Sequence, residues 1–249
     1  MKNVTHKTLS CGIELACVEL PERHIVALEF RILAGAADEP PEYLGLARQI
    51  QETIELGTEK HDGRGLSDAF DEIGAGRSSA VGRETSRYTC VVLPEFLDRT
   101  LELHAEFLRT PTFPEDSAKV SIDLARQELT ALGDDPQSLS DKLLSAQVYG
   151  PYLGRHPLGE RESLDRMSRQ TFLDHWRNTY CAAKMHVAAA GAFDAQRLID
   201  GLEKHFAGFG GSEPRRRPPF DVNFKPEHVH HQKDLEQQQI GVAFPGVPV

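Results

Sequence analysis

GLARQIQETIELGT, residues 45–58, is the stretch that decides the fold of this chain. Its apolar residues recur at roughly helical spacing, at Leu46, Ile50, Ile54 and Leu56. This pattern predicts a helix with one buried face, and Gly57 is the residue type expected as its C-cap. The polar side of the helix carries Arg48, Gln51, Glu52 and Glu55. Because residues four apart share one face of a helix, Arg48 and Glu52 should lie side by side in a polar site.

Composition limits the classes of partner. The chain has 249 residues and a formal net charge of -10, which argues against a nucleic-acid surface or an anionic membrane surface. No apolar run approaches the length of a membrane span, and the first ten residues contain no apolar signal-peptide core. The cysteines are scattered without a C-x-x-C pair, so we expect free thiols. These features predict a cytoplasmic protein.

The remaining apolar patterns place paired strands among irregularly spaced helices. We predict a hairpin over 6–20, a strand over 24–35, a strand pair over 77–93, and strands at 186–191 and 239–244. Helices are predicted at 66–73, 94–108, 114–132, 138–148, 168–178 and 194–205, with a loop at 149–162. The buried face of the 114–132 helix should contain Val120, Leu124 and Leu129.

These elements predict an α+β fold with a mainly antiparallel sheet and helices packed on one face. Residues 1–212 form the expected first domain. Residues 213–249 are predicted to form a linker, which is rich in Gly, Arg and Pro, and the first strand of a second domain. The end of the sequence within an expected strand suggests that a longer protein continues into that domain.

The quoted helix also resembles a known motif. It is similar to the inverted zinc motif H-x-x-E-H of the pitrilysin/insulinase peptidases, a family that includes the mitochondrial processing peptidase. The frame of the motif is kept by Gly45, Ala47, Gly57 and Thr58. The two histidine positions hold Arg48 and Glu52, and the position of the general base holds Gln51.

Further phrases of the family follow in order. The stretch 71–88 resembles its E-x-x-G-G-x-x-N-A phrase, with Ser78 and Ser79 in place of Asn-Ala. The stretches 111–113, 156–159 and 180–191 resemble its P-x-F, H-P-x-G and Y-x-x-x-N-M phrases. The resemblance implies a metalloprotease-type, processing-peptidase-like domain and places Glu128 at the position of the third zinc ligand.

The family mechanism needs two imidazoles and a carboxylate on Zn²⁺, and a glutamate that takes a proton from the metal-bound water. Arg48 cannot ligate a cation and Gln51 cannot act as a base. We therefore expect no zinc and no hydrolysis in this domain. The resemblance implies that Arg48 replaces the metal between the buried carboxylates of Glu52 and Glu128, which would be costly without a cation; the alternative is an ordinary solvated i,i+4 pair.

Peptide binding can survive the loss of a metal. In the family, substrate adds as a strand to a sheet edge, which here corresponds to Arg77, Ser78, Ser79 and Ala80. The resemblance implies an inactive homologue that binds peptide, or that pairs with an active peptidase subunit or with itself. One alternative is an active zinc metalloendopeptidase with an atypical or partner-completed site, and another is a purely structural assembly subunit.

Other histidines are weaker candidates. His228, His230 and His231 could suggest metal binding, but an exposed strand edge or linker explains them as well. His61 follows the motif on the far side of Gly57, and His156 is read as a structural loop residue.

Overall fold

The computed structural model describes residues 4–210, 227–233 and 238–246. One six-stranded sheet has the order β1-β2-β6-β3-β5-β4. The strands are β1 Thr5–Thr8, β2 Glu14–Glu19, β3 Val26–Ile32, β4 Gly76–Val81, β5 Ser86–Val92 and β6 Met185–Gly191. Only the β2–β6 pair is parallel among these strands. The predicted mainly antiparallel sheet is therefore confirmed.

Helices cover one face of this sheet. They are α1 Leu46–Thr53, α2 Gly63–Glu72, α3 Leu97–Arg109, α4 Glu115–Asp134, α5 Pro136–Leu153, α6 Arg161–Leu164, α7 Arg169–Thr179 and α8 Ala195–Phe206. Alternation along β3 shows the two faces, since Val26, Leu28, Phe30 and Ile32 are buried. Glu29 and Arg31 point to the opposite, open face, where they pair with each other. The predicted α+β fold with helices on one face is confirmed.

The helix predicted over 45–58 is shorter than expected. It spans Leu46–Thr53, and its C-cap residue is Ile54 instead of the predicted Gly57. Beyond this point the chain runs beside the segment before α4: the Thr112 N–H donates to the Gly57 carbonyl over 2.9 Å. Competition from this pairing explains why the helical pattern stops early.

The predicted buried face of α4 is wrong at Val120 and Leu124 and right at Leu129, which is partly buried and packs against the core. Val120 and Leu124 are 57% and 52% exposed. The buried side of this helix consists of smaller residues and one isoleucine, namely Ala118, Ser121, Ile122 and Ala125. Small side chains allow α4 to approach α1 closely, and the larger apolar residues are left outside the contact.

Two further boundaries differ from the prediction. Helix α5 continues to Leu153 through a kink at Gly150, and α6 begins at Arg161, within the last two residues of the predicted loop. Residues 238–246 have no regular structure, so the predicted 239–244 strand is wrong. There Gly241 lies against Leu144 of α5 instead of a strand edge. The predicted boundary between residues 212 and 213 lies outside the described residues.

An aromatic cluster with a buried histidine fills the core between the sheet and α3. The ring of His104 stacks on Phe30 at 4.5 Å and contacts Phe70 and Phe107 at 5.2 and 5.3 Å. Its Nδ1 lies 2.8 Å from the Thr100 carbonyl. Burial lowers the pKa of His104 to about 4, so the ring is neutral in the folded protein at neutral pH.

We predict that this histidine weakens the fold in acid. A histidine in the unfolded state has a pKa near 6.5. As the pH falls from about 6.5 to 4, the unfolded state therefore binds a proton at this residue that the folded state does not bind. Stability should fall across this window, by up to about 3 kcal/mol from His104 alone. Urea unfolding of wild type and His104→Phe between pH 7 and pH 4 measures the effect. The variant should lose stability less steeply, while His24→Phe at an exposed position should follow the wild type; parallel curves for all three proteins would refute the prediction.

No helix among the described residues is long and apolar enough to cross a membrane.

Candidate functional site

A buried carboxylate positions the first turn of α1. Glu39 accepts hydrogen bonds from the backbone N–H groups of Gly45 and Ala47, at 2.8 and 2.9 Å. These groups lie at the helix N-terminus, where backbone donors lack partners within the helix. Burial raises the pKa of Glu39 to about 8, although both N–H bonds and nearby Arg155 favour the ionised form. Glu39 therefore serves as the cap that Gly45, without a side chain, cannot provide.

A second loop closes over the same helix start. Gly45 has φ +98°, which favours glycine, and a Cβ on Gly159 would lie 1.9 Å from the Leu44 carbonyl oxygen. Gly159 belongs to the HPLG stretch singled out in the sequence. Arg155, just before it, donates to the Glu39 carbonyl over 2.7 Å. Both loops thus fix where α1 begins and which way its polar face points.

The structure brings Arg48, Glu52 and Glu128 together. The Arg48 Nη2 atom lies 2.8 Å from Glu128 Oε2, and its Nε atom lies 3.5 Å from Glu52 Oε1. The guanidinium therefore lies within ion-pairing distance of one carboxylate on its own helix and another on α4. Side-chain exposure is 26% for Arg48, 46% for Glu52 and 47% for Glu128. The carboxylates are thus half-exposed, where the sequence argument expected burial.

Gln51 faces the sheet. Its side-chain amide Nε2 donates to the Ser79 hydroxyl on β4 over 2.8 Å. Close by, Arg77 pairs with Glu55 and stacks over the Phe70 ring at 4.0 Å. Helix α1 and the residues after it are therefore tied to β4 by two polar contacts, and to α4 by the Arg48 cluster.

Two family models match this chain. The model described as Insulinase (Peptidase family M16) matches residues 15–160, and the model described as Peptidase M16 inactive domain matches residues 166–249. The chain belongs to the M16 insulinase peptidase family. The family resemblance read from the motif phrases is thereby confirmed.

Relatives of this M16 chain include proteins from distant organisms. An "Uncharacterized zinc protease" of Rickettsia felis is 24% identical over 248 residues, which cover 99% of this chain and 60% of the relative. A probable mitochondrial-processing peptidase subunit beta of Arabidopsis thaliana is 25% identical, covering 96% of this chain and 46% of the relative. The chain therefore spans 60% or less of these relatives' lengths.

A solved structure supports the fold alone. A protease from Helicobacter pylori aligns with a TM-score of 0.80 and 17% identity, covering 89% of this chain and 54% of that one. The two proteins share an architecture. A sequence identity this low does not show that corresponding residues have the same roles.

The family implies zinc, and the residues of this M16 chain do not fit it. Where the motif has two imidazoles, Arg48 presents a cation and Glu52 a carboxylate that this cation pairs with. A fixed positive charge within 2.8 Å of Glu128 competes directly with any metal for that ligand. Over the residues that the structure describes, no group of three or more His, Cys, Asp or Glu is arranged to hold a metal ion.

The four residues named as a peptide-binding edge lie on β4, which is the last strand of the sheet. Ser78 and Ser79 pair with Thr89 and Tyr88 of β5, and no other strand in the described part of the chain pairs with them. Arg77 and Ser79 turn toward α1, where they make the contacts described above, whereas the Ser78 hydroxyl lies 2.7 Å from that of Thr89 on the open face. Among the described residues β4 is therefore an edge strand of the sheet.

The other histidine candidates lie apart from the motif. His61 Nδ1 is 2.7 Å from Oε1 of buried Glu106, which also accepts a hydrogen bond from Thr58. This pair joins the loop after α1 to α3. Residues 227–233, which include His228, His230 and His231, are exposed and have no regular structure, as expected of a linker and not of a strand edge.

Sequence reasoning missed two residues that build the site. Glu39 was not among the predicted site residues, and nothing in its spacing reveals that it caps α1. The second is Gln49, which is buried and accepts a hydrogen bond from Ser121 over 2.7 Å. A polar residue on the apolar side of the predicted helix was the available signal for it.

We predict a small effect for removing the central cation. Arg48→Ala should lower the free energy of unfolding by less than about 1 kcal/mol, because half-exposed ion pairs are screened by solvent. A double-mutant cycle with Glu128→Ala, followed by urea unfolding, measures the coupling of the pair. A coupling of several kcal/mol would show that these groups are desolvated in solution, contrary to the geometry described here.

Proposed function

We propose that this chain is a catalytically inactive homologue of an M16 zinc peptidase that acts as a non-catalytic subunit. The observation that carries the proposal is the Arg48 guanidinium, 2.8 Å from Glu128 and 3.5 Å from Glu52, at the positions that the family motif assigns to metal ligands. One cation between two carboxylates balances charge much as a metal would. The ion cluster can keep α1 and α4 in register without chemistry.

The contact of Gln51 supports the loss of activity. An amide has no basic oxygen able to accept a proton near neutral pH. Its donation to Ser79 also directs the side chain toward β4. Even a metal supplied by another route would therefore lack a general base from this helix.

The proposed role is to bind peptide or to pair with a partner. An exposed β4 edge can accept an extended peptide through backbone hydrogen bonds, which need no metal. The partner would be an active peptidase subunit that keeps H-x-x-E-H, or a second copy of this chain. The Arabidopsis relative is named as a subunit, in line with such an arrangement. A cytoplasmic setting accords with the free cysteines at positions 11, 17, 90 and 181.

One observation favours an active enzyme instead. The Rickettsia relative is named a zinc protease, and it is similar over 99% of this chain. An active form would need a site completed by residues of a partner or by the part of the relatives that this chain does not span.

The experiment is a hydrolysis assay with a fluorescence-quenched peptide library, in the absence and presence of added zinc, together with affinity capture from the source organism. The proposal predicts no cleavage above background by the purified chain, and recovery of a peptidase that carries H-x-x-E-H or of a second copy. Zinc-dependent cleavage abolished by Glu128→Gln would overturn the inactive assignment. Capture of neither kind of partner, with no peptide bound, would favour a purely structural subunit.

A further inference from the structure

A stripe of side chains runs along the outside of α4. Asp116, Val120, Leu124 and Glu128 follow one another at intervals of four residues, so they form one ridge of the helix. All four are exposed, and the two apolar members are more than half accessible. The ridge therefore has an apolar centre and an acidic residue at each end.

A groove lies between this ridge and α1. Its volume is about 430 Å³, and it is lined by the ridge, by Leu56 and by the polar face of α1 at Arg48 and Glu52. Small side chains on α4 line it as well, namely Ser117, Ser121 and Ala125. Leu56 is 42% exposed, so apolar groups from two elements face the groove.

The net charge of the groove is negative. Asp116, Glu52 and Glu128 bring three carboxylates, and Arg48 is the one cationic side chain in the lining. Arg48 is already paired with Glu52 and Glu128, and Asp116 has no ion pair with any residue that the structure describes. A ligand that carries positive charge at its ends is attracted by this net negative charge.

We propose that this groove binds an extended peptide segment with two apolar side chains flanked by lysine or arginine. The proposal depends on the spacing of side chains along α4, which matches the spacing of side chains in an extended peptide. Val120 and Leu124 are one turn apart, about 6 Å along the helix, and Asp116 and Glu128 are about 18 Å apart. In an extended chain every second residue faces one way, about 6.6 Å apart, and six residues span about 20 Å.

The groove ligand thus has the pattern basic-x-apolar-x-apolar-x-basic, with all four named side chains on one face. The proposal rests on the peptide-binding role given above but uses a surface other than the β4 edge. An open cleft of this volume accommodates side chains and a single extended backbone. The acidic ends disfavour a second copy, because the chain as a whole is also acidic, with a net charge of -10.

The test uses the fluorescently labelled peptide KSLSLSK and the full chain, with binding followed by anisotropy. The two control peptides are KSSSSSK and ESLSLSE. The groove variant Val120→Asn/Leu124→Asn changes exposed positions, so it should fold. Its matched control is Val91→Asn/Leu93→Asn, two residues 41% and 46% exposed near the end of β5.

KSLSLSK should bind, and both control peptides should bind at least about tenfold more weakly. The groove variant should lose about tenfold or more in affinity, the matched control less than about twofold, and binding should weaken as salt rises from roughly 50 to 500 mM. Equal affinity of wild type and groove variant would overturn the groove as the site while leaving peptide binding elsewhere. No binding by wild type at millimolar peptide would overturn the proposal, as would wild-type dimers that the groove variant alone abolishes. Cleavage of the peptide would instead count against the inactive assignment.

Discussion

A protein carrying Arg48→His, Gln51→Glu and Glu52→His is expected to bind about one equivalent of zinc. The three changes rewrite the family motif on a helix whose start is already fixed by Glu39 and by the Gly159 loop. They also remove the guanidinium that now lies 2.8 Å from Glu128, which frees that carboxylate as the third ligand. Elemental analysis after dialysis against excess zinc measures the content. The gain should be large, because a site with two imidazoles and a carboxylate replaces one whose carboxylates are already paired with a guanidinium.

The matched control for this variant is the same protein with Glu128→Gln added. It keeps both new histidines but loses the carboxylate from α4, so zinc binding should weaken by about tenfold or more. If the triple variant held less than roughly a tenth of an equivalent, α1 and α4 would not present a metal geometry, and the Arg48 cluster would not stand at a former metal position.

Replacing Glu39 with alanine is expected to cost about 3 kcal/mol or more in the free energy of unfolding. The carboxylate is buried, and its loss leaves the Gly45 and Ala47 N–H groups without their acceptors and opens a cavity. Because these groups begin α1, the change should also loosen the Arg48 cluster. Urea unfolding followed by circular dichroism measures the loss.

Glu42→Ala is the control for that experiment, since Glu42 is an exposed acid in the same loop. It should change stability by less than about 0.5 kcal/mol. Similar stabilities for the two variants would contradict the capping role of Glu39. The pH dependence provides a further check: with a folded pKa of about 8, Glu39 should favour the folded state most below about 4.5 and lose that contribution as the pH rises toward 8.

The fold was largely predictable because each strand and most helices have a local signal. Alternation of apolar residues located β3 and β5, and the motif frame located α1. However, the side of a helix that is buried depends on the element it packs against, and the sequence of α4 alone does not specify that element. The prediction for α4 was wrong for this reason. Val120 and Leu124 satisfy the helical apolar pattern as well as Ala118 and Ile122 do, and only the close contact with α1 decides between them.

The candidate site was predictable to the extent that it lies in motif phrases. Positions 48 and 52 are four residues apart on one helix, whereas position 128 is distant in sequence and only family spacing links it to them. Contacts between segments outside these motif phrases could not be predicted in this way. The Glu39 cap and the Gln51–Ser79 bond depend on how two segments meet, and no local pattern specifies that meeting.

The measurement that tests the central claim most directly is the zinc content of the purified wild-type chain, with Glu128→Gln measured beside it. The ion cluster at Arg48 predicts less than roughly a tenth of an equivalent in both proteins, because a guanidinium already pairs with the carboxylates that a metal would need. About one equivalent in the wild type, lost in Glu128→Gln, would contradict the account and show that this chain holds a working metal site.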